Sequence, residues 1–173
     1  MEEIEKIKTD TCKEANSPVD EGRLLSKAGL LYMCLNVKGS ILALNSTCEE
    51  KFEVDEEDIS GNNFLMFTDE ENEKQNREML TLCLKRGYVK DFRTTFITAE
   101  GRRLVLLVNG KTDMDEEGRP LEVGFYMRDI TRSVHQKRHN SLYRRLANPE
   151  KREQFIELPL ESQLDEIRDV FSA

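Results

Sequence analysis

Apolar residues in the first half of the chain come in short runs. Leu30-Leu31-Tyr32-Met33-Cys34-Leu35 and Ile41-Leu42-Ala43-Leu44 flank the turn-forming stretch Asn36-Val37-Lys38-Gly39-Ser40, the pattern of two antiparallel strands joined by a hairpin. Farther on, three strands are punctuated by two Gly turns: Tyr88–Thr98, Arg102–Asn109 and Leu121–Thr131, with Glu100-Gly101 and Glu117-Gly118 between them. Side chains alternate from face to face along a strand. Phe92, Thr94 and Phe96 therefore share one face of the first of these strands, and Leu121, Val123, Phe125 and Met127 one face of the last. The middle strand, Leu104-Val105-Leu106-Leu107-Val108, is apolar on both faces and needs cover on both sides of the sheet. A segment of short helices supplies one cover; a terminal helix or a second subunit must supply the other.

That helical segment lies between the two groups of strands. Its starts are marked by a side-chain oxygen able to take up the free N–H groups of a first turn, with an acid three residues on: Ser46 with Glu49, Asp55 with Asp58, and Thr68 with Glu71. The third helix is the longest. Met79, Leu82 and Cys83 fall on one face of it, Lys85 and Arg86 close its last turn, and Gly87 ends it. After Thr131 the chain is helical in character and its charge splits. Arg132, Lys137, Arg138, Arg144, Arg145, Lys151 and Arg152 precede Glu153, Glu157, Glu161, Asp165, Glu166 and Asp169, which favours helices that pack on each other or on another subunit. Asn148-Pro149-Glu150 and Pro159 each start a helix, and Leu160, Leu164, Ile167 and Phe171 form a stripe at helical spacing. Three regions result: a charged leader over 1–23, helical or disordered, with a capping helix beginning near Asp20; a folded domain over 24–132; and a helical extension over 133–173.

Composition narrows the function classes. The 173 residues suffice for one domain with extensions. With 38% hydrophobic and 35% charged residues the chain folds but keeps a large solvated surface, and its net charge of −8 argues against nucleic acid as a partner, since that binding rests on neutralising phosphates. Cys12, Cys34, Cys48 and Cys83 show no C-x-x-C spacing and read as buried reduced thiols. No stretch reaches the about 18 apolar residues needed to span a bilayer, so no membrane partner is expected and the expected location is cytoplasmic. His135 and His139 stand four apart on a helix, but Arg132, Lys137 and Arg138 beside them repel a cation, and a solvated face is the favoured reading. No G-x-S-x-G elbow, phosphate-cradling glycine loop or H-E-x-x-H helix is present, and Ser133–Ala173 is too short for a kinase or cyclase domain. The chain is expected not to be an enzyme.

Two strands, several short helices, one longer helix and three strands, with Asn45 after the second strand, Gly61-Asn62-Asn63-Phe64 before the long helix and a closing Met127-Arg128-Asp129-Ile130-Thr131, resemble a PAS domain from Leu25 to Thr131. The resemblance implies an α+β fold: a five-stranded antiparallel sheet with short helices on one face, extended by helices at both ends. It also implies a pocket that in some members holds a cofactor, and a sensory or interaction role relayed through the terminal helices. Flavin-photosensor members carry a reactive cysteine where this chain has Gly61-Asn62-Asn63-Phe64-Leu65-Met66, and common haem-binding members carry a histidine on the long helix, which Thr68–Arg86 lacks. The cofactor is left unknown. Candidate pocket residues are Met33, Asn45, Phe64, Met66, Met79, Cys83, Phe96, Leu106, Phe125 and Met127. Two readings stand: a signalling module that senses a small molecule or mediates protein–protein interaction, or a flavin or non-classical haem redox or gas receptor. Expected partners are a second copy, a small-molecule ligand, and a kinase or transcription regulator held by the C-terminal helices.

Overall fold

The computed structural model describes residues 25–171; the leader and most of the capping helix expected near Asp20 lie outside them. A helical turn at 25–27 leads into β1 (Leu31–Asn36) and β2 (Ile41–Leu44), then α1 (Ser46–Phe52), α2 (Glu56–Ile59), a 3₁₀ turn (Phe64–Phe67) and the long α3 (Glu70–Arg86). Strands β3 (Tyr88–Ile97), β4 (Arg103–Met114) and β5 (Pro120–Asp129) follow, and three helices close the chain: α4 (Thr131–Ala147), α5 (Pro149–Ile156) and α6 (Leu160–Phe171). The strands form one antiparallel sheet in the order β2-β1-β5-β4-β3. The first and last strands of the domain thus meet at its centre, and α4 leaves from a central strand.

Register fixes which side chains meet. Leu44, Met33, Phe125, Gly110 and Val89 form one cross-sheet row on the inner face, and Leu31, Met127, Val108 and Phe92 another. Helices α1, α2 and α3 and the 3₁₀ turn close over these rows, and the shared apolar cluster holds Phe52, Phe64, Phe67, Phe96 and Phe125. Gly110 is required where it stands, because a Cβ there would lie 2.8 Å from Val89 Cγ2 and 2.9 Å from both Cys83 Sγ and the Phe125 ring. Leu121, expected to share the inner face, sits near the start of β5, opposite the register shift between Asp113 and Met114 of β4, and is 57% exposed.

The helix starts differ from expectation by one residue at two places, for the same reason. Asn45 rather than Ser46 caps α1, its Oδ1 accepting from the Cys48 N–H at 3.0 Å. Asp69 rather than Thr68 caps α3, accepting from Asn72 N–H at 2.9 Å. The amide or carboxylate takes the cap and leaves the neighbouring hydroxyl for a tertiary contact: Ser46 donates to Ser26, and Thr68 accepts from Asn76. Asp55 stands at the start of α2 but makes no cap bond; Glu49 accepts from Glu56 N–H instead. Gly87 ends α3 at φ 81°, donating to Cys83 O, and Asn148 with Pro149 starts α5.

β4 runs five residues past its expected end. Its inner residues Leu106 and Val108 are fully buried, and its outer residues Val105 and Leu107 are half-buried beneath α4. The second cover that the apolar strand demands is therefore a terminal helix of the same chain.

Candidate functional site

Nine of the ten expected pocket residues lie inside. Met33, Met79, Cys83, Phe96, Leu106, Phe125 and Met127 have no exposure, Phe64 has 1% and Asn45 5%. Met66 does not belong with them: it is 51% exposed. A 3₁₀ turn repeats every three residues, so Phe64 and Phe67 point inward together and Met66 points out. The inner volume is crossed by aromatic contacts: the ring centroids of Phe52–Phe67, Phe52–Phe96, Phe64–Phe125 and Phe64–Phe96 are 4.6, 5.8, 6.0 and 6.4 Å apart. Such tilted and edge-on pairs contribute beyond the area they bury.

Asn45 is turned to the backbone rather than to the interior. Its Oδ1 accepts from Tyr32 N–H and Cys48 N–H, each at 3.0 Å, while its Nδ2 donates to Leu30 O at 2.8 Å. It clamps the start of β1 to the start of α1. A second buried polar cluster was missed by sequence reasoning. Asn76 has no exposure; its Nδ2 donates to Thr68 Oγ1 (3.0 Å) and Thr95 O (3.3 Å), and its Oδ1 accepts from Thr94 Oγ1 at 2.5 Å. Its signal was present, since residue 76 stands three, four and seven before Met79, Leu80 and Cys83 on the buried face of α3.

The soft side chains Met33, Met79, Cys83 and Met127 all belong to the apolar cluster. Burial pushes the Cys83 thiol upward, against a weaker opposing effect of Thr112, and so disfavours the thiolate that a metal ligand needs to be. Cys48 is pushed up by burial as well. Cys34, on the outer face of β1, is raised to about 12 by burial first and by the charge of Glu122, whose carboxylate accepts from the thiol, second. Among the described residues no group of three metal-binding side chains occurs. His135 and His139, expected on a solvated helix face, are both half-buried: the His139 ring packs edge-on against Tyr143 at 4.6 Å, and His135 Nδ1 is buried without a hydrogen-bond partner.

The junction between β5 and α4 is tied at two points. Asp129 accepts from Thr131 N–H (2.9 Å) and from Lys51 Nζ of α1 (3.0 Å), and Thr131 Oγ1 accepts from Val105 N–H of β4 (2.9 Å). Burial acts to raise the Asp129 carboxyl, but the bonds from Thr131 and the pairing with Lys51 outweigh it and hold it below the usual range. Beside this junction a groove of about 770 Å³ opens between the outer face of the sheet and α4. Its floor is Leu107, Ile130 and Val134, and its rim carries Arg93, Arg128, Lys137 and Arg138 with Asp129 and Ser133. Arg93, Leu107 and Arg128 are cross-strand neighbours on β3, β4 and β5, which puts two guanidinium groups on either side of one leucine. Arg93, Arg128 and Lys137 make no ion pair among the described residues. The sequence pattern pointed to the basic residues of α4 but not to Arg93 and Arg128, because only the strand register brings them there. No helix among the described residues is long and apolar enough to cross a membrane.

A family model described as PAS domain matches residues 29–132. Among solved structures, the fold is similar to a PAS domain from Colwellia psychrerythraea (14% identity, TM-score 0.58, covering 65% of this chain and 96% of that one). It is similar also to the PAS domain of the fruit-fly ELK potassium channel (16%, 0.53, 67% and 99%). A third is the light-state dimer of the fungal blue-light photoreceptor Vivid (10%, 0.50, 58% and 78%). A comparison with curated proteins finds no match.

Proposed function

This chain belongs to the PAS domain family, and from that premise we propose that it is a non-enzymatic signalling module, active as a homodimer in the cytoplasm, that passes a change in its domain to a partner through its C-terminal helices. The observation that carries this reading is the tied junction. Asp129 and Thr131 join β5, β4, α1 and the first turn of α4 through three hydrogen bonds, so the helix that leaves the domain is coupled to both layers of its core. A helix free of the domain would need none of these bonds. The input is read as a small molecule or a protein contact; the partner class is a kinase or a transcription regulator, held by α4, α5 and α6. The Vivid structure is a dimer by its description, and that arrangement is proposed for this chain by likeness.

The test is capture of partners by the whole chain and by a chain lacking Ser133–Ala173, with circular dichroism on both. Loss of capture with a retained fold supports relay through the helices; capture that survives the deletion refutes it. An absorbance spectrum of protein purified without added cofactor separates this reading from a flavin or haem receptor. A colourless sample supports the module proposed here, and flavin or haem bands would replace it with the cofactor reading.

A further inference from the structure

Two exposed surfaces on this chain are complementary to each other, and among the described residues neither covers the other in one copy. The first is the groove beside α4, with its apolar floor and the cations Arg93, Arg128 and Lys137. The second is the ridge of α6. Leu160, Leu164 and Ile167 follow one another at helical spacing and are 69%, 47% and 37% exposed. Their orientation is fixed, because Gln163 Nε2 donates to Ile156 O (3.0 Å) and Leu158 O (2.8 Å) and so locks α6 against the end of α5. Glu161 and Asp165 lie one turn apart beside the ridge, both exposed, and Asp165 pairs with the equally exposed Arg168 at 3.1 Å, a surface contact of little strength. Helix α6 already contacts α4 of its own chain, yet among the described residues none of α6 lines the groove, and Leu160, Leu164 and Ile167 stay exposed. Exposed apolar side chains grouped in this way mark a contact surface.

Resting on the dimer reading above, we propose that the α6 ridge of one copy seats in the α4 groove of the other, and reciprocally. Leu164 then lies toward Leu107 and Val134, while Glu161 and Asp165 face Arg128 and Lys137. Charge selects this occupant. Groove against groove would bring the cations of two copies together, whereas the crossed pairing sets against them Glu161, which makes no ion pair among the described residues, and Asp165, held only by the exposed Arg168 of its own helix. It is also the pairing that two-fold symmetry delivers twice, since each copy brings one ridge and one groove. A groove of about 770 Å³ admits the side-chain ridge of a helix, whose full diameter is about 10 Å, rather than its whole body.

The experiment is sedimentation velocity of the full chain carrying either a groove reversal, Arg128→Glu with Lys137→Glu, or a ridge reversal, Glu161→Lys with Asp165→Lys. The wild type should be a dimer that weakens with added salt. Each variant alone should dissociate at least roughly tenfold more readily. A one-to-one mixture of the two should recover the dimer, because both crossed contacts again pair opposite charges. All four substituted side chains are exposed, and thermal melts would confirm that both variants fold. Variants that stay dimeric, or a mixture that stays monomeric, would overturn the crossed docking while leaving the dimer reading in place. A wild type that is monomeric at every accessible concentration would remove both. A monomer stabilised by dodecanoate would assign the groove to a small amphipathic anion, again against this proposal.

Discussion

Replacing Asn45 by Ala removes the side-chain partner of the Tyr32 N–H and of the Leu30 carbonyl, and leaves the Cys48 N–H only its 2.8 Å bond to the residue 45 carbonyl. The cap bond to Cys48 N–H is worth about 1 kcal/mol. The Tyr32 N–H and the Leu30 carbonyl flank the buried start of β1, and a buried group left unpaired costs about 1–3 kcal/mol. Since the three bonds share one residue they do not add fully, and the expected loss is about 3 kcal/mol, a large part of the about 5–15 kcal/mol that holds a domain together. In urea, with a slope of about 2 kcal/mol per molar, the midpoint should fall by about 1.5 M with the slope unchanged. Asn45→Asp keeps both accepting bonds but turns a buried carboxylate oxygen toward the Leu30 carbonyl, so it too should be less stable than the wild type at neutral pH and should regain stability as the carboxyl is protonated in acid. Circular dichroism followed through the urea titration reads both variants. A midpoint for Asn45→Ala within roughly 0.3 M of wild type would refute the clamp, as would an Asp variant as stable as the wild type at neutral pH.

Other expectations follow from the same geometry. Gly110→Ala should cost about 1–3 kcal/mol by overpacking, and adding Cys83→Ala should return part of it in a thermal melt; full additivity of the two losses would contradict the close approach. Asp129→Asn should destabilise most at neutral pH. The carboxyl is held below its ordinary 3.8 in the folded state, so its contribution is complete above that value and fades as pH falls through the folded one. Stability curves for the two proteins should therefore converge in acid, and a constant gap would show that its charge plays no part. In a Cys12→Ser background, native protein at pH 8 should react with a disulfide reagent far more slowly than unfolded protein, because Cys34, Cys48 and Cys83 are buried and their thiols raised; rapid labelling would mean that this core opens readily.

Period-two alternation and short apolar runs carried most of the fold. The apolar character of both faces of Leu104–Val108 correctly required a second cover, and the inner set of Met33, Phe96, Leu106, Phe125 and Met127 was legible because burial leaves its mark on residue type. Met66 was not, since an apolar residue in a 3₁₀ turn goes in or out by a phase that composition does not encode. Asn76 was overlooked for the opposite reason: its spacing put it on the buried face of α3, but what a polar residue does there shows only once its partners, Thr68, Thr94 and Thr95, are placed around it. The groove joins residues 93, 107, 128 and 137, and only register brings such distant positions together.

The β5–α4 junction sets the rotational phase of everything that follows it. Only Ile130 separates the last strand residue from the first residue of α4, so there is no slack for the helix to turn independently of the sheet. One residue inserted at this point would rotate α4 by about 100° about its own axis. Val134 and Lys137 would swing away from Leu107 and Arg128 while the domain itself kept its core. If the proposed relay through the helices holds, its signal is written in angle as well as in distance, and a series of one-, two-, three- and four-residue insertions should weaken the output and then partly restore it as a full turn is completed.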